Sequence, residues 1–293
     1  MGRMLRGKQM QSLASVRAVK EIMAKHGLSP SKGLGQNFLV DSSVCPRMAQ
    51  LSGAAGNCVI EIGPGFGVLT RELALIAKRV VAVELDKRLL PVLGETLAQF
   101  DNITVLNADI MELDINRLIA GSFDGGDVVI CANLPYYITS PVIMKLLEEK
   151  TPAKAITVMV QREAADRLCA GPGSRQSGAI TASVSYYASV RRLFNVPAGS
   201  FYPAPKVDSA VIRLDIYDEP PVKVKSEKML FRVIRAAFLQ RRKTLLNSLS
   251  SGLGIPKDEL LPVLRSAGVP ESIRAERLLL EDFARISDAL AER

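Results

Sequence analysis

Short apolar runs alternate along this chain with stretches in which apolar residues recur at helical spacing. The run Cys58–Ile62 is followed by 68–77, where Leu69, Leu73 and Ile76 fall on one helical face. Residues 80–83 read as the next strand and 89–100 as the next helix. Further strands are predicted at 103–106, 128–131 and 156–160, the last with a helical 162–168 behind it. Such alternation predicts an α/β fold with a parallel sheet covered on both faces. In sheets of this kind ligands bind beyond the carboxyl ends of the strands. Ahead of this region, residues 11–26 read as a basic helix, followed by a polar, glycine-rich loop over 29–35. Behind it, Asp218-Glu219-Pro220-Pro221 marks a linker, and the remainder has helical periodicity, giving a small C-terminal domain.

Composition narrows the class. Of 293 residues 48% are hydrophobic, enough for one large domain or one domain with a small appendage. No apolar run reaches the length of a membrane span. The positive start lacks the apolar stretch of a secretory signal, although an Arg-rich, acid-poor start shares the composition of an organelle transit peptide. Cys45, Cys58, Cys131 and Cys169 stand far apart with no C-x-x-C pair, and read as small buried hydrophobes in a reducing compartment. His26, the only histidine, precedes Gly27 near a helix end and reads as a capping or surface residue. No metal centre is expected.

The net charge of +8 is concentrated. Residues 1–36 carry Arg3, Arg6, Lys8, Arg17, Lys20, Lys25 and Lys32 against Glu21 alone. Residues 222–243 carry Lys223, Lys225, Lys228, Arg232, Arg235, Arg241, Arg242 and Lys243 against Glu227, so the rest of the chain is mildly acidic. A solvated face is the plain reading of any one run. Two concentrated runs around an acidic body favour a polyanionic partner, nucleic acid first.

The predicted strands end in specific polar residues. The first ends in Glu61-Ile62-Gly63-Pro64-Gly65-Phe66-Gly67 and opens into a helix, a turn in which glycines let the backbone approach a ligand closely. Val68 stands where the dinucleotide fingerprint has its third glycine, which departs from the nicotinamide-cofactor pattern. The second strand ends in Glu84, placed to accept hydrogen bonds from both hydroxyls of a ribose. After the third comes Asn107-Ala108-Asp109, where Asp109 can accept from an adenine amino group. Each carboxylate alone is as readily a surface charge; in this order, with the glycine turn, they favour a nucleoside-containing cofactor.

The fourth strand ends in Asn133-Leu134-Pro135-Tyr136. The exocyclic amine of adenine is a poor nucleophile because its lone pair is delocalised into the ring. A site that methylates it must draw the amine toward tetrahedral geometry. The Asn133 side-chain oxygen and the Leu134 main-chain carbonyl can both accept from the amine, Pro135 fixes the backbone, and Tyr136 can stack on the base. A proline-stiffened loop over 201–209 offers Phe201 as a second ring on the opposite side of the base; a hydrophobic anchor is its plain reading. Arg232, Arg235, Arg241, Arg242 and Lys243 are candidate phosphate contacts, and one helix through 228–249 would put Arg232 and Arg235 on one face.

These residues, together with Gly33-Leu34-Gly35-Gln36-Asn37-Phe38-Leu39 and the stretches 201–209 and 237–247, resemble the KsgA-type small-subunit rRNA adenine dimethyltransferases over nearly the whole chain. The resemblance implies a Rossmann-like class I methyltransferase fold with a small α-helical C-terminal domain. It implies a basic helix and loop at 1–36, an S-adenosylmethionine-dependent domain at 37–215 and an RNA-binding unit at 216–293. The implied reaction is dimethylation of N6 on two adjacent adenines in a hairpin near the 3′ end of 16S rRNA. The implied setting is a small ribosomal subunit or its precursor; the protein is expected in the cytoplasm, and nothing in the sequence demands more than a monomer. Asn37, Leu39, Gly63, Gly65, Glu84, Asp109 and Asn133 are the implied cofactor residues, and Asn133, Leu134, Pro135, Tyr136 and Phe201 the catalytic ones. One departure is Ser177-Gly178-Ala179-Ile180-Thr181, where the family commonly has an aromatic before the glycine. Competing readings are a large-subunit rRNA methyltransferase, a non-catalytic binding or assembly protein, a DNA adenine methyltransferase and a nicotinamide-dependent oxidoreductase.

Overall fold

The computed structural model describes residues 13–30 and 35–291. Arg3, Arg6, Lys8 and Lys32 of the basic N-terminal segment, and Gly33 and Leu34 of the glycine-rich motif, lie outside the described residues. Helix α1 (Val16–His26) starts at Ser15, whose hydroxyl accepts from the Ala18 N–H, and ends at Gly27 in the left-handed conformation. There follow β1 (Phe38–Leu39), α2 (Val44–Leu51), β2 (Cys58–Ile62), α3 (Val68–Ile76), β3 (Arg79–Glu84), α4 (Leu90–Thr96), β4 (Ile103–Asn107) and α5 (Ile115–Ser122). Then come β5 (Val128–Ala132), α6 (Tyr136–Glu148), β6 (Ala155–Gln161), α7 (Arg162–Ala170), α8 (Ala179–Tyr187), β7 (Ala188–Val196), β8 (Phe201–Tyr202) and β9 (Ser209–Ile216). The last helices are α9 (Glu227–Phe238), α10 (Leu245–Leu253), α11 (Lys257–Ser266) and α12 (Leu280–Ala291).

The main sheet has the order β4-β3-β2-β5-β6-β9-β7. Neighbours from β4 to β6 are parallel; β9 runs antiparallel to both β6 and β7. Every residue of β2 and β5 is buried. Alternation sends Ile60, Ile130 and Ile156 to one face and Val59, Val129 and Met159 to the other, each into its own core. This is why the strands read as continuous apolar runs. Together with the helices on both faces it is the Rossmann-like α/β fold expected.

The sheet is parallel from β4 to β6 and is extended by β9 and β7, which run antiparallel to their neighbours. Strand β7 is half exposed at the sheet edge, so Arg191, Arg192 and Asn195 interrupt its apolar pattern and it gives no strand signal in the sequence. The single helix expected through 228–249 is also corrected. Helix α9 stops at Phe238, and α10 packs back against it after the turn at 239–244. The close crossing is allowed by Gly252, where an added Cβ would lie 2.6 Å from the Ala236 Cβ.

The C-terminal helices share a core that includes Leu230, Ile234, Leu249 and Phe283, and that takes in Ala182 and Tyr186 of α8. Tyr187 stacks on Phe231 at 5.4 Å. The 215/216 boundary is therefore crossed by packing. Helix α1 docks likewise: Val19 and Met23 pack with Leu89 and Val92, and Lys25 and His26 both reach Glu95. The surface reading of His26 thus becomes a tether. Among the described residues no helix is long and apolar enough to cross a membrane.

Candidate active site

The chain winds from β2 to β3 to β4 in one direction and then returns to β5 on the other side of β2. Neighbouring strands at such a reversal send their following loops apart, opening a crevice at their carboxyl ends. Ile62 and Ala132 are in register across it, so the next residues, Gly63 and Asn133, face each other at its floor. One cavity there is lined by Asn37, Leu39, Gly63, Gly65, Glu84, Asp109 and Asn133, and also by Leu134, Pro135, Tyr136 and Phe201. The structure thus brings every candidate cofactor and catalytic residue together.

The glycine turn is required by its backbone. Gly63, Gly65 and Gly67 have φ of 72°, 60° and 83°, and a Cβ at Gly63 would lie 3.4 Å from the Leu134 Cδ2. Glu84 is buried at the end of β3, where its carboxylate accepts from the Asp86 N–H at 2.8 Å and the Gly65 N–H at 3.2 Å. It therefore ties two of the cavity loops together. Burial raises its pKa, which those N–H groups partly offset. Asp109 accepts from the Met111 N–H at 2.8 Å through Oδ1. Asn107, between them, donates to the Glu84 carbonyl at 2.6 Å.

After β5 the chain leaves regular structure for Asn133 and Leu134, and Pro135 caps α6 with φ −53° and ψ 136°. Ile138 N–H donates to the Pro135 carbonyl, so the helix ladder begins after the Leu134 carbonyl. The Tyr136 hydroxyl is 2.7 Å from the Ser209 Oγ of β9, which holds the ring in place. Phe201 departs from expectation. It is not presented by a loop but sits in β8, 4% exposed, in one core cluster with Leu39 and Met48, and it also lines the cavity. The short strand β8 pairs with β1, which explains the burial.

A strap over 35–39 closes one side. Gln36 donates to Asp86 at 3.0 Å, Asn37 donates to the Gly35 carbonyl at 3.1 Å, and Phe38 stacks on Phe66 at 4.0 Å with the rings 4° from parallel. Beyond it the Val40 N–H donates to the Ser200 carbonyl at 2.8 Å.

One cavity residue was missed by sequence reasoning. Glu61 is 1% exposed, its Oε2 has no hydrogen-bond partner, and burial pushes its pKa up to about 8, a rise that Thr70 partly offsets and Glu84 adds to. The signal was present: a carboxylate inside an otherwise apolar strand. The five basic candidates lie away from the cavity. Arg232 and Arg235 are exposed on α9, and Arg241, Arg242 and Lys243 are exposed in the turn before α10. Arg232 also donates to the Leu253 carbonyl at 3.3 Å. Among the described residues no group of histidine, cysteine or carboxylate side chains suits a metal, and the four cysteines are free thiols.

A profile of the ribosomal RNA adenine dimethylase family matches residues 28–292. A ribosomal RNA small subunit methyltransferase A from Alkaliphilus oremlandii is 45% identical over 286 residues, covering 97% of this chain and 100% of that protein. Its counterpart from Bacillus mycoides is 47% identical over 288 residues, covering 96% and 98%. Among solved structures, a dimethyladenosine transferase from Plasmodium falciparum aligns with TM-score 0.70 at 26% identity, over 85% of this chain and 95% of that one. The 23S rRNA methyltransferase ErmE aligns with TM-score 0.65 at 27% identity, over 87% and 100%. With the site and these relatives in agreement, the chain belongs to the ribosomal RNA adenine dimethylase family, enzymes that methylate adenine in ribosomal RNA with S-adenosylmethionine as donor.

Proposed function

We propose that this protein dimethylates N6 of two adjacent adenines in a hairpin near the 3′ end of 16S rRNA. It acts on the small ribosomal subunit or its precursor, as a monomer in the cytoplasm. The observation that carries the chemistry is the placement of Asn133, Leu134, Pro135 and Tyr136 at the carboxyl end of β5, in the same cavity as Glu84 and Asp109. The subunit assignment rests on the relatives: those at 45–47% identity are named for the small subunit, whereas the 23S enzyme stands at 27%.

The cavity suits S-adenosylmethionine on its own residues. The unpartnered Glu61 Oε2 is a buried carboxylate oxygen in want of a cation, which the methionyl ammonium supplies. Glu84 takes the ribose hydroxyls, Asp109 the adenine amine, and Gly63 and Gly65 let the backbone come close. Asn37 and Leu39 close the strap side. Bound there, the cofactor supplies an electrophilic sulfonium methyl.

The target adenine enters between Tyr136 and the wall that includes Phe201. Asn133 and the Leu134 carbonyl accept from the N6 hydrogens, which localises the N6 lone pair toward the methyl group; the methyl's bond to sulfur would break as its bond to nitrogen forms, with S-adenosylhomocysteine as the leaving group. Pro135 fixes their direction. No strong base is needed, because the amine becomes acidic on methylation and loses its proton to water. Arg232, Arg235, Arg241, Arg242 and Lys243 grip phosphates from the 216–293 unit. The test is transfer of radiolabelled methyl to small subunits lacking these methyl groups, with large-subunit RNA and duplex DNA alongside. Label on two adjacent small-subunit adenines is expected; label on large-subunit RNA alone would overturn the assignment.

A further inference from the structure

We propose that Tyr137 forms a stacking subsite at the rim of the cavity for the unpaired base next to the adenine being methylated. The inference rests on the two-adenine reading above and deepens it. Tyr136 and Tyr137 are the first two residues of α6, and successive helix residues point about 100° apart. The Tyr136 ring is turned inward and held by Ser209. Tyr137 is turned outward: it lines the same cavity, yet its side of the rim leaves it 60% exposed. Its ring lies along the strap, where a Cβ at Gly35 would come within 3.4 Å of the Tyr137 Cε1 and 3.2 Å of the Pro135 Cβ. Gly35, with φ 57°, lets the strap pass without displacing that ring.

The surroundings point to bases rather than to phosphates. Leu85, 50% exposed, also lines the cavity, and Met111, 41% exposed, follows the lining residue Ile110. Leu85 on the loop after β3 and Met111 on the loop after β4 therefore join Tyr137, in the first turn of the helix that follows β5, as exposed apolar side chains beyond the carboxyl ends of three strands. Other exposed large apolar residues, such as Val16, Leu75 and Leu279, lie on separate elements, as on any surface. An apolar rim continuous with a base-binding cavity matches the flat faces of unpaired bases. An extruded base in the cavity leaves its neighbour unstacked on one side, and an aromatic ring is the group that replaces the lost stack.

The test compares the wild type with Tyr137→Ala and Tyr137→Phe on unmethylated small subunits. Acceptor KM, kcat and the methyl count on each adenine are read by mass spectrometry of digested rRNA, and cofactor affinity is measured without RNA. Tyr137→Ala should raise the acceptor KM about tenfold or more and let product with one modified adenine accumulate, with cofactor affinity held. Tyr137→Phe, which keeps the ring, should recover both. An unchanged acceptor KM and product distribution in Tyr137→Ala would overturn the subsite. So would a matching loss of cofactor affinity, which would make Tyr137 a support for the strap. A wild type that labels only a single adenine would instead remove the two-adenine reading, and that outcome is visible before any variant is compared.

Discussion

The cavity at the carboxyl edge of the sheet and the basic turn between α9 and α10 are assigned to the same RNA but built by opposite rules. In the cavity several polar groups are fixed: Glu84 by two backbone N–H groups, Tyr136 by Ser209, the strap by Gln36 on Asp86. In the turn, Arg241, Arg242 and Lys243 stand exposed. The difference follows from what each has to do. Moving a methyl group requires atoms held to fractions of an ångström, whereas attracting a phosphate chain requires only charge in the right region. A substitution among the fixed groups of the cavity should therefore act on kcat or cofactor affinity, and one in the turn on RNA affinity and its salt dependence.

The sharpest break is Asn133→Ala. Single-turnover methyl transfer should fall by roughly 10²–10³-fold or more, while RNA affinity in a filter-binding assay holds. Retained turnover would remove Asn133 from the chemistry. Next is Arg241→Ala with Arg242→Ala. RNA affinity should drop about tenfold, and the slope of log affinity against log salt should flatten by about two, with single-turnover rate at saturating RNA preserved. If neither affinity nor slope moves, the turn is not the grip.

The smallest effect concerns Glu61. Its folded pKa, near 8, lies well above that of an exposed glutamate, so the folded protein holds a proton that the unfolded chain has lost. The stability contributed by the neutral form is present below about pH 4.5 and is lost as pH rises toward 8. Thermal melts without cofactor should fall over that window and flatten in Glu61→Gln, and the variant should gain less from added S-adenosylmethionine. Equal pH slopes in both proteins would assign the titration elsewhere.

The same contrast governs what the sequence revealed. Strands β2, β3 and β5 are buried on both faces, so their apolar runs announced them, and the residues just past their ends could be named individually. Strand β7 escaped because an edge strand needs no such run. Phe201 was located in the cavity but given the wrong setting, since a two-residue strand paired with β1 leaves no pattern of its own. The stop between α9 and α10 carries neither proline nor glycine over 239–244. Its mark is Thr244 ahead of Leu245, with the Asn247 side chain donating back to the Thr244 hydroxyl at 2.8 Å. Helical periodicity on both sides concealed it. The basic residues could be assigned only as a segment, because charge density has no register.

The clasp between β1 and β8 has a consequence for synthesis. Phe38 and Leu39 emerge from the translating ribosome early, but their partners Tyr202 and Phe201 follow some 160 residues later. Strand β9, made later still, must slide between β6 and β7 to finish the sheet. A growing chain that has already produced the glycine turn and Asn133 still lacks the far wall of its cavity. The residues assigned to the methyl donor are therefore all made before the wall that includes Phe201, and the β1–β8 pairing beside the strap can form only once residues 201–202 have been made.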